Sequence, residues 1–240
     1  MMKTILFCLC IVFNLYSETR SFVGTRIESE TPDVYAVRSD RSLITFAGFN
    51  KHDSVPPFKI VGDLDFNVSD NALRIPVRTL RRNAKAGGYY YAGVLDISSS
   101  GAVMTAARTI PSGNPDLGTA LLFFPESVTV DSVNGLPETF VRYFKRAKVE
   151  VVEYKIKDGK PRLLWARNRK VESSVEDEVS VLISRNKIEV TVQDSVVYSG
   201  DNPLPQFLKL KSGIWASTKG NTHGGGNLKF DRIRIESVSQ

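Results

Sequence analysis

The chain has 240 residues, 42% of them hydrophobic and 24% charged, with a formal net charge of +6. That length and apolar content suit one large domain able to bury a sizeable core. Two cysteines and two histidines leave almost no material for disulfide frameworks, thiol chemistry or zinc centres.

At the start, Lys3 precedes an uncharged apolar run from Thr4 to Tyr16, and Ser17 supplies a small residue at its end. A basic start, a short apolar centre and a small residue mark residues 1–17 as a secretory signal peptide. The run is shorter than the roughly 20 apolar residues that a membrane span needs. Cys8 and Cys10 both leave with this segment. The mature chain then has no thiol, so neither a disulfide nor a cysteine-held metal is expected. A secreted domain without disulfides points to a bacterial exported protein, in the periplasm, at the cell surface or outside the cell. No later stretch is long enough to cross a membrane.

Residues 18–57 read as an N-terminal extension carrying edge strands, with Val34 to Val37 and Ser42 to Phe49 as the strands. The segment from Leu43 to Phe49 is expected beside the last strand of the chain. From Phe58 onward, residues 58–240 read as one β-sandwich domain. Leu64, Phe66 and Val68 alternate with Asp63, Asp65 and Asn67, the pattern of a half-buried strand. The oxygens of Asp63, Asp65, Asn67 and Asp70 have a calcium-loop spacing. Val68 stands where that loop needs glycine, however, and Arg74 stands where it needs a closing carboxylate, so a polar strand face is the simpler account.

Gly87 and Gly88 lead into Tyr89, Tyr90 and Tyr91. Adjacent residues of a strand point to opposite faces, so either Tyr90 or the pair Tyr89 and Tyr91 points outward. An outward tyrosine either stacks on a sugar ring or, more commonly, packs beneath a loop. Further on, Leu121 to Phe124 is a short apolar strand, and Val128 to Val133 leads to an Asn134-Gly135 turn. Phe140, Tyr143, Phe144 and Ala147 fit helical spacing after Pro137, but the neighbouring segments favour a strand. Asp158-Gly159 predicts a hairpin between Lys148 to Lys157 and Arg162 to Arg167, with Trp165 inside it. Glu172 to Glu178 reads as an exposed acidic connection.

Val179, Val181 and Ile183, then Ile188, Val190 and Val192, repeat at period two around an Arg185-Asn186 reversal. A second reversal at Asp194-Ser195 precedes Val196 to Tyr198. Phe207 to Lys211, Gly213-Ile214-Trp215-Ala216 and Leu228 to Glu236 complete the series. The run Asn186 to Val192, the glycine-led strand at Gly213 and the closing Leu228-Lys229-Phe230-Asp231-Arg232-Ile233 resemble the C-terminal half of a concanavalin-A-like or laminin-G-like jelly roll. The resemblance implies an all-β, antiparallel, two-sheet sandwich. Such a fold hosts lectins, glycosidases and pure scaffolds alike.

Catalytic patterns are missing from the sequence. Sandwich glycosidases of the family-16 type carry Glu-x-Asp-x-x-Glu on one strand, and that pattern is absent. Glu150 and Glu153 are three residues apart and so fall on opposite faces of a strand. His52 and His223 lack a metal-binding spacing, and no Gly-x-Ser-x-Gly elbow occurs. No catalytic residue, metal or cofactor is therefore expected. The leading expectation is a non-catalytic interaction or structural protein of the bacterial envelope or of an exported assembly, such as an appendage coat. It would meet an acidic protein partner through Arg78, Arg81, Arg82, Lys85, Arg142, Lys145 and Arg146. The alternative is a glycan-binding, lectin-like module with Tyr89, Tyr90, Tyr91, Trp165 and His223 as contacts. A glycoside hydrolase comes third, and nucleic acid is not an expected partner.

Overall fold

Period-two alternation along the chain becomes, in a computed structural model, a set of strands with no α-helix among the described residues. These are residues 41–49, 58–64, 66–69, 72–76, 85–109, 117–145, 148–155, 160–168, 176–218 and 227–239. The strands are β1 (Arg41–Ala47), β2 (Phe58–Gly62), β3 (Asn67–Ser69), β4 (Ala72–Pro76), β5 (Ala86–Tyr91), β6 (Leu95–Asp96), β7 (Ser100–Thr109) and β8 (Leu117–Pro125). They continue with β9 (Thr139–Lys145), β10 (Lys148–Lys155), β11 (Arg162–Asn168), β12 (Glu176–Ile183), β13 (Lys187–Val192), β14 (Ser195–Asp201), β15 (Lys209–Thr218) and β16 (Asn227–Ser239).

Two antiparallel sheets result. Sheet A runs β14-β13-β12-β7-β16-β4-β3, with β1 also on β16, and sheet B runs β11-β10-β9-β8-β15-β5-β2, with β6 on β15. β1 pairs along the end of β16, Arg41 opposite Val238 and Ala47 opposite Ile233, so the N-terminal strand does lie beside the C-terminal one.

The main core fills the space between the sheets. Met104, Ala106, Val179, Val181, Ile188, Val190, Phe230, Ile233 and Ile235 from sheet A meet Leu121, Phe123, Val141, Tyr143, Val149, Val151 and Ile214 from sheet B. Phe123 and Tyr143 meet edge to face at 5.7 Å. Arg108 is the largest fully buried side chain. It shares the inward side of β7 with Met104 and Ala106, and its guanidinium donates to the Thr119 hydroxyl of β8, linking one sheet to the other. At the edge of the sandwich, Trp165 on β11 faces Tyr198 on β14 at 5.5 Å.

The outward side of sheet A carries ion pairs instead. Glu236 is only 1% exposed there, with Arg41 at 3.4 Å and Arg234 at 3.2 Å. Glu178 pairs with Arg232 at 2.5 Å. A nearly buried carboxylate held this way depends on its cations, because losing them strands a desolvated charge.

Several boundaries differ from the sequence reading. The alternation from Phe58 to Val68 is not one strand: β2 belongs to sheet B and β3 to sheet A, and the chain crosses between sheets after Gly62, whose φ is +107°. The reversal expected at Asp194-Ser195 lies one residue earlier. Gln193 and Asp194 both take positive φ, 47° and 63°, as a tight hairpin turn requires. The acidic connection from Glu172 ends at Glu176, where β12 begins, and Glu178 is ion-paired within the strand. The segment that also fitted a helix is strand β9. The signal peptide, Val34 to Val37 and the Asp158-Gly159 turn lie outside the described residues.

Phe123 has no exposed surface and touches both the sheet interior and Tyr143. Phe123→Ala should cost about 3–5 kcal/mol, read as a lower urea midpoint with an unchanged slope.

Candidate functional site

Leu121, Leu122, Phe123 and Phe124 are consecutive apolar residues of β8, so this strand is apolar on both faces. Leu121 and Phe123 enter the main core, whereas Leu122 and Phe124 join a second core on the outer face of sheet B with Tyr90, Ala120 and Phe140. Its cover is the connection from Glu126 to Glu138, which lays Val128, Val130 and Leu136 over the sheet.

This loop is fixed by its backbone. Trp215 Nε1 donates to the Asn134 carbonyl at 2.9 Å, and the Tyr90 hydroxyl donates to the Gly135 carbonyl at 2.5 Å. The Asp63 N–H donates to the Val133 carbonyl at 3.1 Å. Inside the loop, the Asp131 carboxylate accepts from the N–H groups of Val133 and Asn134 at 2.7 and 3.1 Å. Gly135 has φ +66°, and a Cβ there would fall 2.4 Å from the Val61 carbonyl oxygen and 2.6 Å from the Gly88 nitrogen. Only a glycine turn resting on the Gly87-Gly88 backbone allows so close an approach.

The three tyrosines separate accordingly. Tyr89 points into the main core and stacks on Phe58 at 4.8 Å, and burial lifts its phenol from 10.0 to about 12. Tyr90 points the other way but is 4% exposed beneath the loop, its phenol also pushed up by burial. Tyr91 is half-buried against Phe58. Of the tyrosines expected as ligand contacts, Tyr89 and Tyr90 are thus buried, each ring packed within the protein. Trp165, also an expected contact, is half-buried and packs onto Tyr198 and the main core.

Beyond the loop, the outer face of sheet B continues through Leu122, Arg142, Val152 and Leu163, which lie opposite one another on β8 to β11. Arg142 pairs with Glu150 at 2.9 Å. Burial weakens the guanidinium's hold on its proton and the Glu150 carboxylate partly restores it. Leu163, at the far end of this row, is 59% exposed. Of the other expected basic residues, Lys85 precedes β5 and is half-buried, and Lys145 closes β9. Arg78, Arg81, Arg82, Arg146 and His223 lie outside the described residues, as do Asp65 and Asp70 of the calcium-like spacing.

Glu150 is tied to Arg142, and Glu153 to Lys155 at 3.0 Å with Arg162 at 3.9 Å, which leaves these carboxylates in ion pairs on opposite sides of β10. Among the described residues no group of three His, Cys, Asp or Glu is placed to hold a metal ion, and no helix is long and apolar enough to cross a membrane. Sequence reasoning missed the Glu126 to Glu138 loop as a cover. Its signals were the Asn134-Gly135 pair, the Gly87-Gly88 pair and the unbroken apolar run of β8.

Gly135→Ala should lower stability by at least about 2 kcal/mol and red-shift the Trp215 emission as the loop lifts. Alkali tests the tyrosines. Because Tyr89 titrates near 12 when folded and at 10.0 ordinarily, the unfolded chain releases its proton first as pH rises. The stability it contributes is complete below pH 10 and is lost between 10 and 12, so phenolate absorbance should show a delayed fraction that appears together with unfolding.

No protein-family model matches the chain, and no curated protein matches it in sequence. Solved structures do match in shape. The seed lectin of Lotus tetragonolobus aligns at 14% identity and a TM-score of 0.56, covering 82% of this chain and 98% of the lectin. Arcelin-5, a lectin-like defence protein from Phaseolus vulgaris, aligns at 12% identity and 0.58, covering 84% and 100%. The Emp47p carbohydrate recognition domain aligns at 12% and 0.58, covering 80% and 93%. At such identities the likeness carries the architecture alone, and the chain is a concanavalin-A-like jelly-roll sandwich.

Proposed function

We propose that this protein is a non-catalytic binding sandwich of an exported assembly, and that its ligand is a protein partner. The observation that carries the proposal is the commitment of its aromatic side chains. Tyr89 and Tyr90 are buried, Trp165 packs on Tyr198, Trp215 is tied to Asn134, and Tyr154 stacks on Phe140 at 5.0 Å. A sugar platform needs an exposed aromatic face, and these rings serve packing instead. Ion-paired carboxylates on β10 favour binding over glycoside chemistry, which needs two carboxylates facing one bond. The basic, uncharged-then-small leader of residues 1–17 supports export.

A second reading, a carbohydrate-binding module, draws support from the names of two of the structural neighbours, a seed lectin and a carbohydrate recognition domain. Its contacts would lie on the rim of the Glu126 to Glu138 loop, where Asp131, Ser132 and Val133 are exposed.

Both readings meet one test. Residues 18–240 serve as bait in native envelope extract, the recovered protein is purified and rebound at measured stoichiometry, and the bait is applied in parallel to a glycan array. The proposal expects one partner with a fixed stoichiometry and a blank array. Array binding without a stoichiometric protein partner would contradict it and establish the carbohydrate reading.

A further inference from the structure

Formal charge is unevenly placed along this chain. Residues 139–170, which build β9, β10 and β11, hold 11 of the 32 Lys and Arg but only 3 of the 26 Asp and Glu, a net of +8. The remaining 21 basic residues are outnumbered by 23 acidic ones, so the positive excess of the sequence lies in this segment, whose described residues include the three-strand meander at one end of sheet B and carry seven Lys and Arg against two Glu. The adjoining edge of sheet A has the opposite sign: residues 176–201 carry six Asp and Glu against two Lys and Arg.

Within the meander, pairing neutralises part of the charge. Arg142 is held by Glu150, and Lys155 lies against Glu153. Arg162 is left with 74% of its side chain exposed and its carboxylate neighbour 3.9 Å away, and Lys160 and Arg167 are exposed too. Leu163 stands on the opposite face of β11 from Arg162 and Arg167, in register with Val152, with 59% of its surface in water. β11 has a single strand partner, β10, among the described residues, and its register slips between Leu163 and Trp165. Cations and a bulge on an edge strand discourage pairing with the same edge of another copy. They do not discourage an acidic chain.

We infer that the β9–β11 meander, centred on Arg162, Leu163 and Arg167, is the docking surface for an acidic polypeptide segment carrying an apolar side chain. The inference rests on the reading of this protein as a protein-binding sandwich and assigns that reading its surface. Cations on one face of an edge strand and an exposed leucine on the other favour an extended polypeptide, whose alternate side chains reach both faces, over an anionic glycan, which offers Leu163 no apolar group. The nearby rings that a sugar would use, Trp165 and Tyr154, face Tyr198 and Phe140. The long-range field of the meander speeds encounter, and the leucine contact adds specificity.

Charge reversal tests the assignment. Arg162→Glu with Arg167→Glu alters two exposed side chains, and Arg185→Glu with Lys187→Glu makes the same net change in the β12–β13 hairpin. Circular dichroism and melting confirm that both variants fold. The probes are labelled poly-L-glutamate, a Glu-rich peptide with one central leucine, heparin, and phosphatidylglycerol vesicles, each at low and moderate salt. The expected result is salt-sensitive binding of poly-glutamate, weakened at least tenfold by the meander reversal and changed less than twofold by the hairpin reversal. Leu163→Ser should weaken the leucine peptide several-fold and leave poly-glutamate unchanged. Equal loss in both charge variants, binding of heparin or vesicles without poly-glutamate, or self-association of the protein at low salt would each overturn the inference. A purified partner that binds the meander variant as well as the wild type would overturn the surface but leave the protein-binding reading intact. Absence of any partner would remove that reading itself.

Discussion

A sheet that is apolar on both faces needs two covers, and sheet B is such a sheet. One face is closed by sheet A, through side chains such as Phe123, Val141 and Ile214 against Val181 and Ile235. The other is closed, among the described residues, by a loop, and a loop brings carbonyls that need donors of their own once they approach an apolar face. Tyr90 and Trp215 meet this need from the sheet itself, each rising from the outer face to donate to consecutive carbonyls of Gly135 and Asn134. Gly87 and Gly88 make room beneath, and Gly135 takes the left-handed conformation above. Removing any of these parts exposes Leu122 and Phe124 to water. The cover also determines what the protein has to offer a ligand, because it uses the aromatic residues that a binding face would otherwise display.

Much of the architecture was legible in the sequence because period two is a direct record of one buried face. Val179, Val181 and Ile183, and then Ile188, Val190 and Val192, all point inward as their spacing requires. Phe230, Ile233 and Ile235 do the same, with a slip in the pairing of β16 and β7 between Phe230 and Arg232 that local alternation does not announce. The crossing between sheets after Gly62 was hidden for the same reason: Leu64 is buried, Phe66 half-buried and Val68 is 52% exposed, yet they alternate with polar residues as evenly as a single strand would. Alternation specifies which side is buried, not which sheet buries it.

The candidate site was less legible, since it is made by pairs distant in the chain. Tyr90 reaches Gly135 across 45 residues, and Trp215 reaches Asn134 across 81. Nothing in the triplet Tyr89-Tyr90-Tyr91 states which ring is covered by another part of the chain. Charge, in contrast, is readable locally, and the sequence already placed Arg142, Lys145 and Arg146 in one group. The strand order then sets β9, which carries Arg142 and Lys145, near the end of a sheet whose edge strand adjoins the acidic strands β12 to β14 of the other sheet, with Trp165 and Tyr198 as the joint between them.

On the proposed function, two surfaces compete as the place where a ligand would meet this sandwich: the loop that covers the second core, and the basic meander next to it. Amide hydrogen exchange on the full chain, with and without a partner recovered by the bait experiment, separates them most directly. Slowed exchange confined to Thr139–Lys145, Lys148–Lys155 and Arg162–Asn168, with Glu126 to Glu138 unchanged, is the predicted result. Protection concentrated in the loop, with the meander exchanging as before, would contradict the account.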